Sequence, residues 1–161
     1  MASRNSRRAV RGTLFALALI GVFAGTTLAT PANQFVGTPL AKGTMSGTVQ
    51  RNVGDIKFQT KGPVVFNVAS VAVAAGGSSG WHSHPGVVLV TVKQGTITFY
   101  DQNCNPTVHA AGTSFIESDG DGPGLARNEG ATEALVYVTY VAPADTTVFR
   151  IDQGNPGCPQ S

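Results

Sequence analysis

His82 and His84 are the residues of this 161-residue chain whose type and spacing most clearly indicate chemistry. A β-strand sends residues i and i+2 to the same face, with a rise of roughly 3.3 Å per residue. Both imidazoles then face one point while Ser83 points away, which a helix does not allow. Two such rings can share a metal ion, or they can form an inactive pair hydrogen-bonded to backbone or water. The spacing leaves both interpretations open.

The segments around the histidines predict extended structure. The glycine-rich stretch 75–80 is typical of a turn, and the stretch 87–92 is apolar and rich in β-branched residues. Gln94 and Gly95 then indicate a second turn, followed by the alternating stretch 96–100. We therefore predict a β-hairpin that turns at Gln94 and Gly95.

Four residues match the first motif of the cupin superfamily in order and spacing: Gly80, His82, His84 and Gly95. The motif that they resemble also contains a glutamate between the histidines and the final glycine. Its position falls on Val88 when counted from the glycine and on Leu89 when counted from the histidines. Neither of these side chains can ligate a cation.

The stretch 112–128 resembles the second cupin motif, in which a histidine stands four residues before an asparagine. Asn128 matches the asparagine, but Gly124 occupies the histidine position. A cupin centre places three histidines and one carboxylate around a metal, and this chain lacks two of those four. The resemblance, over residues 63–141, implies a jelly-roll barrel, or double-stranded β-helix. It also implies that iron, manganese, zinc or nickel is bound weakly or not at all.

Two further residues are candidates to complete a metal site. Glu117, in the second motif, can supply a replacement carboxylate, although its place at a strand end favours an ordinary surface acid. His109 can supply a third imidazole, although a single histidine beside a turn is more often a surface or half-buried residue. The sequence assigns no catalytic residue, because it contains neither a nucleophile elbow nor a phosphate-binding loop that opens a helix.

The composition favours an all-β domain. Charged residues make up 12% of the chain and there are 20 glycines, a balance that suits strands and turns better than charged helix faces. We expect an extended N-terminal arm over 33–55, a cupin-like barrel over 56–152 and a short tail over 153–161. An immunoglobulin-like sandwich is the rival, but the only tryptophan, Trp81, precedes both cysteines.

The first 32 residues predict a secretory signal peptide. Four arginines precede an uncharged stretch, 12–29, and small residues allow cleavage after Ala29 or Ala32. An uncleaved membrane anchor is the alternative, but the stretch is short and contains several glycines. Arg7 and Arg8 also resemble part of a twin-arginine signal, although the general secretory route is favoured. We expect a secreted or cell-envelope protein without stable membrane insertion after leader removal.

The mature chain is mildly acidic. The whole chain has 11 basic and 9 acidic residues, and four of the basic residues lie in the leader, which leaves a net charge of −2. No cluster of lysine or arginine remains to bind a phosphate backbone, so we expect no nucleic-acid partner. An exported chain meets oxidising conditions, so Cys104 and Cys158 are predicted to form a disulfide.

We expect an exported cupin-domain protein that binds a small molecule and, weakly, a divalent metal through His82 and His84. The alternative is a metal-dependent cupin enzyme, of the oxygenase or isomerase type, with a non-standard ligand set. A purely structural role in the cell envelope is a third interpretation. The resemblance also implies that a homodimer can form through the sheets.

Overall fold

The computed structural model describes residues 28–117 and 122–159, and within them it contains only β-strands, turns and loops. In chain order the strands are β1 (Asn33–Met45), β2 (Val49–Val53), β3 (Ile56–Thr60), β4 (Val64–Ser78), β5 (His82–Ser83), β6 (Val87–Gln94), β7 (Thr96–Tyr100), β8 (Pro106–Ala110), β9 (Ser114–Glu117), β10 (Leu125–Arg127), β11 (Ala134–Pro143) and β12 (Ile151–Asp152). The prediction of an all-β fold is confirmed for this part of the chain.

The main sheet curls into a nearly closed antiparallel barrel. Its strands follow the order β8-β7-β10-β4-β11-β6-β9, and β1 also pairs with β4. Strand β4 joins the two walls of the barrel, one formed by β11, β6 and β9 and the other by β10, β7 and β8. Its residues Val64 to Val73 pair with β11, whereas Ser78 pairs with Arg127 of β10. The short β5 pairs with β12, and a bridge between His82 and Gly124 places it beside β10. This is the predicted jelly-roll barrel.

Valines that alternate along facing strands fill the barrel. Along β6, Val88, Val90 and Val92 are buried while the residues between them are exposed. Val136 and Val138 of β11 belong to the same apolar cluster. Burial of a valine side chain stabilises a fold by roughly 1.5–3 kcal/mol, so the alternation determines which face of each strand points inward.

The predicted hairpin at Gln94 and Gly95 is wrong. Strands β6 and β7 follow each other directly, but β6 pairs with β11 and β9 whereas β7 pairs with β10 and β8. Gly95 has φ +75°, and a Cβ atom there would lie 2.9 Å from the Cα of Ala134. The chain is therefore pressed against the start of β11 and crosses to the opposite wall. A turn residue between two alternating strands is the sequence pattern of a hairpin and also of such a corner, so the pattern does not distinguish the two.

The segment expected to be an arm takes part in the fold. Residues 33–45 form β1, which pairs along β4 at the edge of the main sheet. Strands β2 and β3 form a separate hairpin, so the boundary predicted between residues 55 and 56 falls at its turn. The barrel sheet therefore begins with β1.

The predicted signal peptide falls largely on residues 1–27, which lie outside the described residues, as do residues 118–121 and 160–161. Across the described ranges, we find no helix with the length and apolarity required to traverse a bilayer. The localisation therefore remains a prediction that concerns a part of the chain not described here.

The disulfide predicted between Cys104 and Cys158 is present, and it closes a sequence separation of 54 residues. Cys158 packs in a second apolar cluster with Trp81, Tyr100 and Leu125. The bridge therefore ties the C-terminal tail to the loop between β7 and β8. A disulfide is consistent with an oxidising compartment.

Replacing Cys104 and Cys158 together by serine is expected to lower the free energy of unfolding by about 4 kcal/mol, because the open chain gains entropy. Urea denaturation of the oxidised protein and the double variant measures the difference. Reduced wild-type protein is the matched control and should unfold with the double variant. Equal stability of oxidised and reduced wild type would contradict this role of the bridge.

Candidate metal centre

Strand β5 carries His82, and His84 follows it directly, so the two histidines come together as the i, i+2 spacing predicts. The backbone N–H of His82 donates to Gly124 O at 3.0 Å, and the N–H of Gly124 donates back to His82 O at 2.8 Å. The rings of His82 and His84 lie edge to face, with centroids 4.8 Å apart. Both rings line the same cavity inside the barrel.

Each ring is oriented by a backbone carbonyl. His82 Nδ1 lies 2.9 Å from Gly80 O, and His84 Nδ1 lies 2.5 Å from Phe149 O. A carbonyl oxygen only accepts hydrogen bonds, so we assign the proton to Nδ1 in both rings. The remaining Nε2 atoms are then free to offer lone pairs, which is the arrangement of metal-binding histidines held by outer hydrogen bonds.

Glu117 faces both Nε2 atoms. Its Oε1 lies 3.0 Å from His82 Nε2 and 3.9 Å from His84 Nε2, and the residue is 8% exposed. The interpretation of Glu117 as a surface acid is therefore wrong. Burial raises the pKa of Glu117, but the neighbouring His82 and His84 rings, in the state in which they are protonated, outweigh that effect and hold the pKa well below its usual range.

The carboxylate comes from the strand next to the one where the resemblance places it. Glu117 is the direct partner of Val88 in the pairing of β6 with β9. Residues directly opposite each other on neighbouring strands project from the same face of a sheet. Glu117 therefore sends its carboxylate into the same interior as the buried Val88, one of the two positions where the first cupin motif has its acid.

The second missing ligand has no such replacement among the described residues. A Cβ atom at Gly124 would lie only 2.4 Å from Cζ of Phe99, so the Phe99 ring fills the place of a side chain there. His109 stacks on Phe115, with centroids 3.8 Å apart and planes 12° apart, and burial lowers its pKa. It is not part of the group formed by His82, His84 and Glu117.

These three residues fit a divalent cation. Their ligand atoms lie within 4.8 Å of one another. A cation at about 2.1 Å from each atom requires separations of roughly 3–4 Å, close to those present. His84 Nε2 is also buried without a hydrogen-bond partner among the described residues. A buried polar atom in that state is costly, and a shared cation would satisfy it together with the Glu117 carboxylate.

The competing interpretation is an inactive pair in which a proton lies between His82 and Glu117. An imidazolium at His82 would donate to the carboxylate at the observed 3.0 Å. It would leave His84 unsatisfied, because 3.9 Å is too long for a hydrogen bond. The geometry therefore favours a cation over a single proton.

The cavity around the three residues is small and mostly apolar. The space open to the centres of water-sized molecules is about 40 Å³. Its other polar lining residues are Tyr140 and Arg150, neither of which was predicted from the sequence as a site residue. Burial and the charge of Glu117 raise the pKa of Tyr140 to about 12, although Arg150 acts in the opposite direction. The inward alternation of Val136 and Val138 could have indicated Tyr140.

Two residues near the end of the second motif, Arg127 and Asn128, do not line the site, and Asn128 stabilises the fold. Asn128 Nδ2 donates to Val73 O and to Thr132 O, and its Oδ1 accepts the backbone N–H of Gly130. Asn128 therefore satisfies backbone groups in β4 and in the turn that follows β10. Arg127 is not among the residues that line the cavity.

No protein-family model and no curated protein matches this chain. Among solved structures, the polyketide cyclase RemF from Streptomyces resistomycificus is 12% identical over 80% of this chain and 79% of that chain, with a TM-score of 0.52. A Cupin_2 domain of an XRE family transcriptional regulator from Enterobacter cloacae is 17% identical over 68% of this chain and 97% of that one, with a TM-score of 0.45. A Cupin 2 conserved barrel domain protein from Leptotrichia buccalis is 17% identical over 66% of this chain and 40% of that one, with a TM-score of 0.47.

The topology together with the similarity to RemF shows that the chain has the cupin fold. At 12% identity the similarity concerns the fold alone. This similarity does not assign the activities of these proteins to this chain. The site must therefore be interpreted from its own residues.

The contact between Gly124 and Phe99 predicts a coupled effect on stability. Gly124→Ala is expected to lower the free energy of unfolding by about 1–3 kcal/mol, since the added Cβ overlaps the ring. In a Phe99→Val background the same substitution should cost much less. Gly37→Ala in β1 is the matched control, because a Cβ there has no neighbour within 4 Å. Equal costs in both backgrounds, measured by urea denaturation, would contradict the steric account.

Proposed function

We propose that this protein binds a divalent transition metal through His82, His84 and Glu117 and uses that centre to bind a small organic molecule. The observation that carries the proposal is the buried, unpartnered His84 Nε2 facing the Glu117 carboxylate. Two imidazoles and a carboxylate suit iron(II), manganese(II), nickel(II) and zinc(II). With the carboxylate included, we expect a higher affinity than two histidines alone would give.

Export remains part of this proposal. The disulfide between Cys104 and Cys158 supports folding in an oxidising compartment. The four arginines and the uncharged segment before residue 30, which have the pattern of a signal peptide, are the sequence argument for export. A secreted or cell-envelope location would expose the centre to metals outside the cytoplasm.

Metal analysis of the full-length protein tests the proposal. We expect one metal ion per chain after dialysis and a large loss of metal in His84→Ala and Glu117→Gln, because each removes a ligand. Loss of bound metal should also lower the melting temperature, since a ligand that binds only the folded state stabilises it. The readouts are elemental analysis and thermal unfolding with and without a chelator.

His109→Ala is the matched control, since His109 stacks on Phe115 outside the three-residue group. It should retain the metal content of the wild type. A wild-type protein without metal after incubation with each candidate ion would contradict the proposal. So would equal losses in His109→Ala and His84→Ala.

A second candidate function is metal-dependent catalysis of the oxygenase type. The arrangement of two histidines and one carboxylate favours it, since such a set is typical of non-haem iron(II) oxygenases and leaves coordination positions open. When bound, the metal would supply Lewis-acid or redox chemistry at the cavity. Dioxygen uptake by iron-loaded protein with candidate small organic molecules tests this function, and Glu117→Gln should abolish the uptake.

A further inference from the structure

The C-terminal tail places a guanidinium at the cavity. Arg150 lies between Phe149, whose carbonyl accepts from His84, and β12, which pairs with β5. Its Nη2 donates to Ser79 O at 2.5 Å and its Nε donates to Asp152 Oδ1 at 2.8 Å. Arg150 therefore belongs to the same tail segment that orients a candidate metal ligand, and contacts to Ser79 and Asp152 fix its guanidinium.

Arg150 has hydrogen-bonding capacity left over. A guanidinium has five N–H donors, and the contacts within the described part of the chain use one on Nε and one on Nη2. Its side chain is 28% exposed, so it lies partly in the barrel and partly at its mouth. Asp152, its partner, is 56% exposed and faces solvent more than the cavity. Three donors are thus available to a ligand.

Tyr140 supplies a second donor on the same cavity wall. Its ring lies 5.4 Å from the His84 ring and 5.7 Å from the Phe149 ring. Tyr140 lines the cavity and its hydroxyl makes no hydrogen bond to another described residue, while a phenol hydroxyl can act as a donor. The hydroxyl can therefore donate to an acceptor inside the cavity.

The charges of the site require an anion once a metal is bound. A divalent cation with the single Glu117 carboxylate leaves one positive charge at the centre, and the charge of Arg150 beside it is balanced only by the more exposed Asp152. The other lining residues are apolar, among them Val90, Ile97 and Phe115. Uncompensated charge in such surroundings is unfavourable, so a ligand of negative charge is favoured over a neutral one.

We infer that Arg150 and Tyr140 form the anion-binding part of the cavity and that the ligand of this protein is a small organic carboxylate, an inference that rests on the proposed metal-binding function. A planar guanidinium matches the two oxygens of a carboxylate. A phosphate would leave further charged oxygens against valine and phenylalanine side chains. The space of about 40 Å³ accommodates about three water centres at roughly 10–15 Å³ each, so only a few ligand atoms fit inside.

The experiment measures binding of acetate to the full-length protein loaded with cobalt(II), followed by visible absorption and calorimetry. Acetamide is the matched neutral probe, since it has nearly the same shape without the charge. We expect acetate to bind at least tenfold more tightly than acetamide. Equal affinities would overturn the inference without any need for a variant.

Variants then assign the binding to residues. Arg150→Gln should weaken acetate about 10- to 100-fold, the range for loss of a charged hydrogen bond, and Tyr140→Phe about 2- to 10-fold. Arg150→Lys retains the charge and should recover part of the affinity. Arg127→Gln, which removes a guanidinium outside the cavity lining, should leave acetate binding unchanged. Equal effects of Arg127→Gln and Arg150→Gln would overturn the inference.

Metal content is measured on every sample, together with circular dichroism. A wild-type protein that holds no metal would overturn the proposed function. Full metal content with equal affinity for acetate and acetamide would overturn only the carboxylate inference. Inorganic phosphate is included as a further probe, and tighter binding of phosphate than of acetate would also contradict the choice of a carboxylate.

Discussion

The two hydrogen bonds from histidine Nδ1 atoms to backbone carbonyls are the constraint on which the candidate centre depends. Gly80 O and Phe149 O accept from His82 and His84, and they leave both Nε2 lone pairs directed at Glu117. Gly80 is two residues from His82, whereas Phe149 is 65 residues from His84. The position of the C-terminal tail is therefore as important for the centre as the segment 82–84 that carries the histidines.

Several contacts hold that tail. Strand β12 pairs with β5, and the N–H of Gln153 donates to Trp81 O at 2.9 Å. The disulfide then fixes Cys158 in the cluster that contains Trp81. The disulfide does not touch the centre, but it restricts the same segment that supplies Phe149 O and Arg150. Stability of the tail and orientation of His84 are thus physically linked.

The sequence was sufficient for the fold class, the shared face of His82 and His84, and the disulfide, because each follows from a local pattern or from a count of two cysteines. It was not sufficient for the corner at Gly95, since the partners of β6 and β7 are distant in the chain. The inward direction of Glu117 depends on its register with Val88, which only the sheet determines. Arg150 lies in a tail without periodicity, so no sequence signal indicated that it reaches the cavity.

Electrostatics explains why a cation suits this barrel better than an empty acid–imidazole cluster. A carboxylate among valines and phenylalanines needs a positive partner, and the Arg150 guanidinium already contacts Asp152. With Nδ1 protonated in both rings, each Nε2 presents a lone pair to Glu117, so acceptors face an acceptor. One divalent ion between the three groups would replace that repulsion with three attractive contacts. It would also give His84 Nε2 a partner, which a proton on His82 alone does not. The fold therefore brings together an acid and two oriented bases, which is the arrangement that the proposed cation requires.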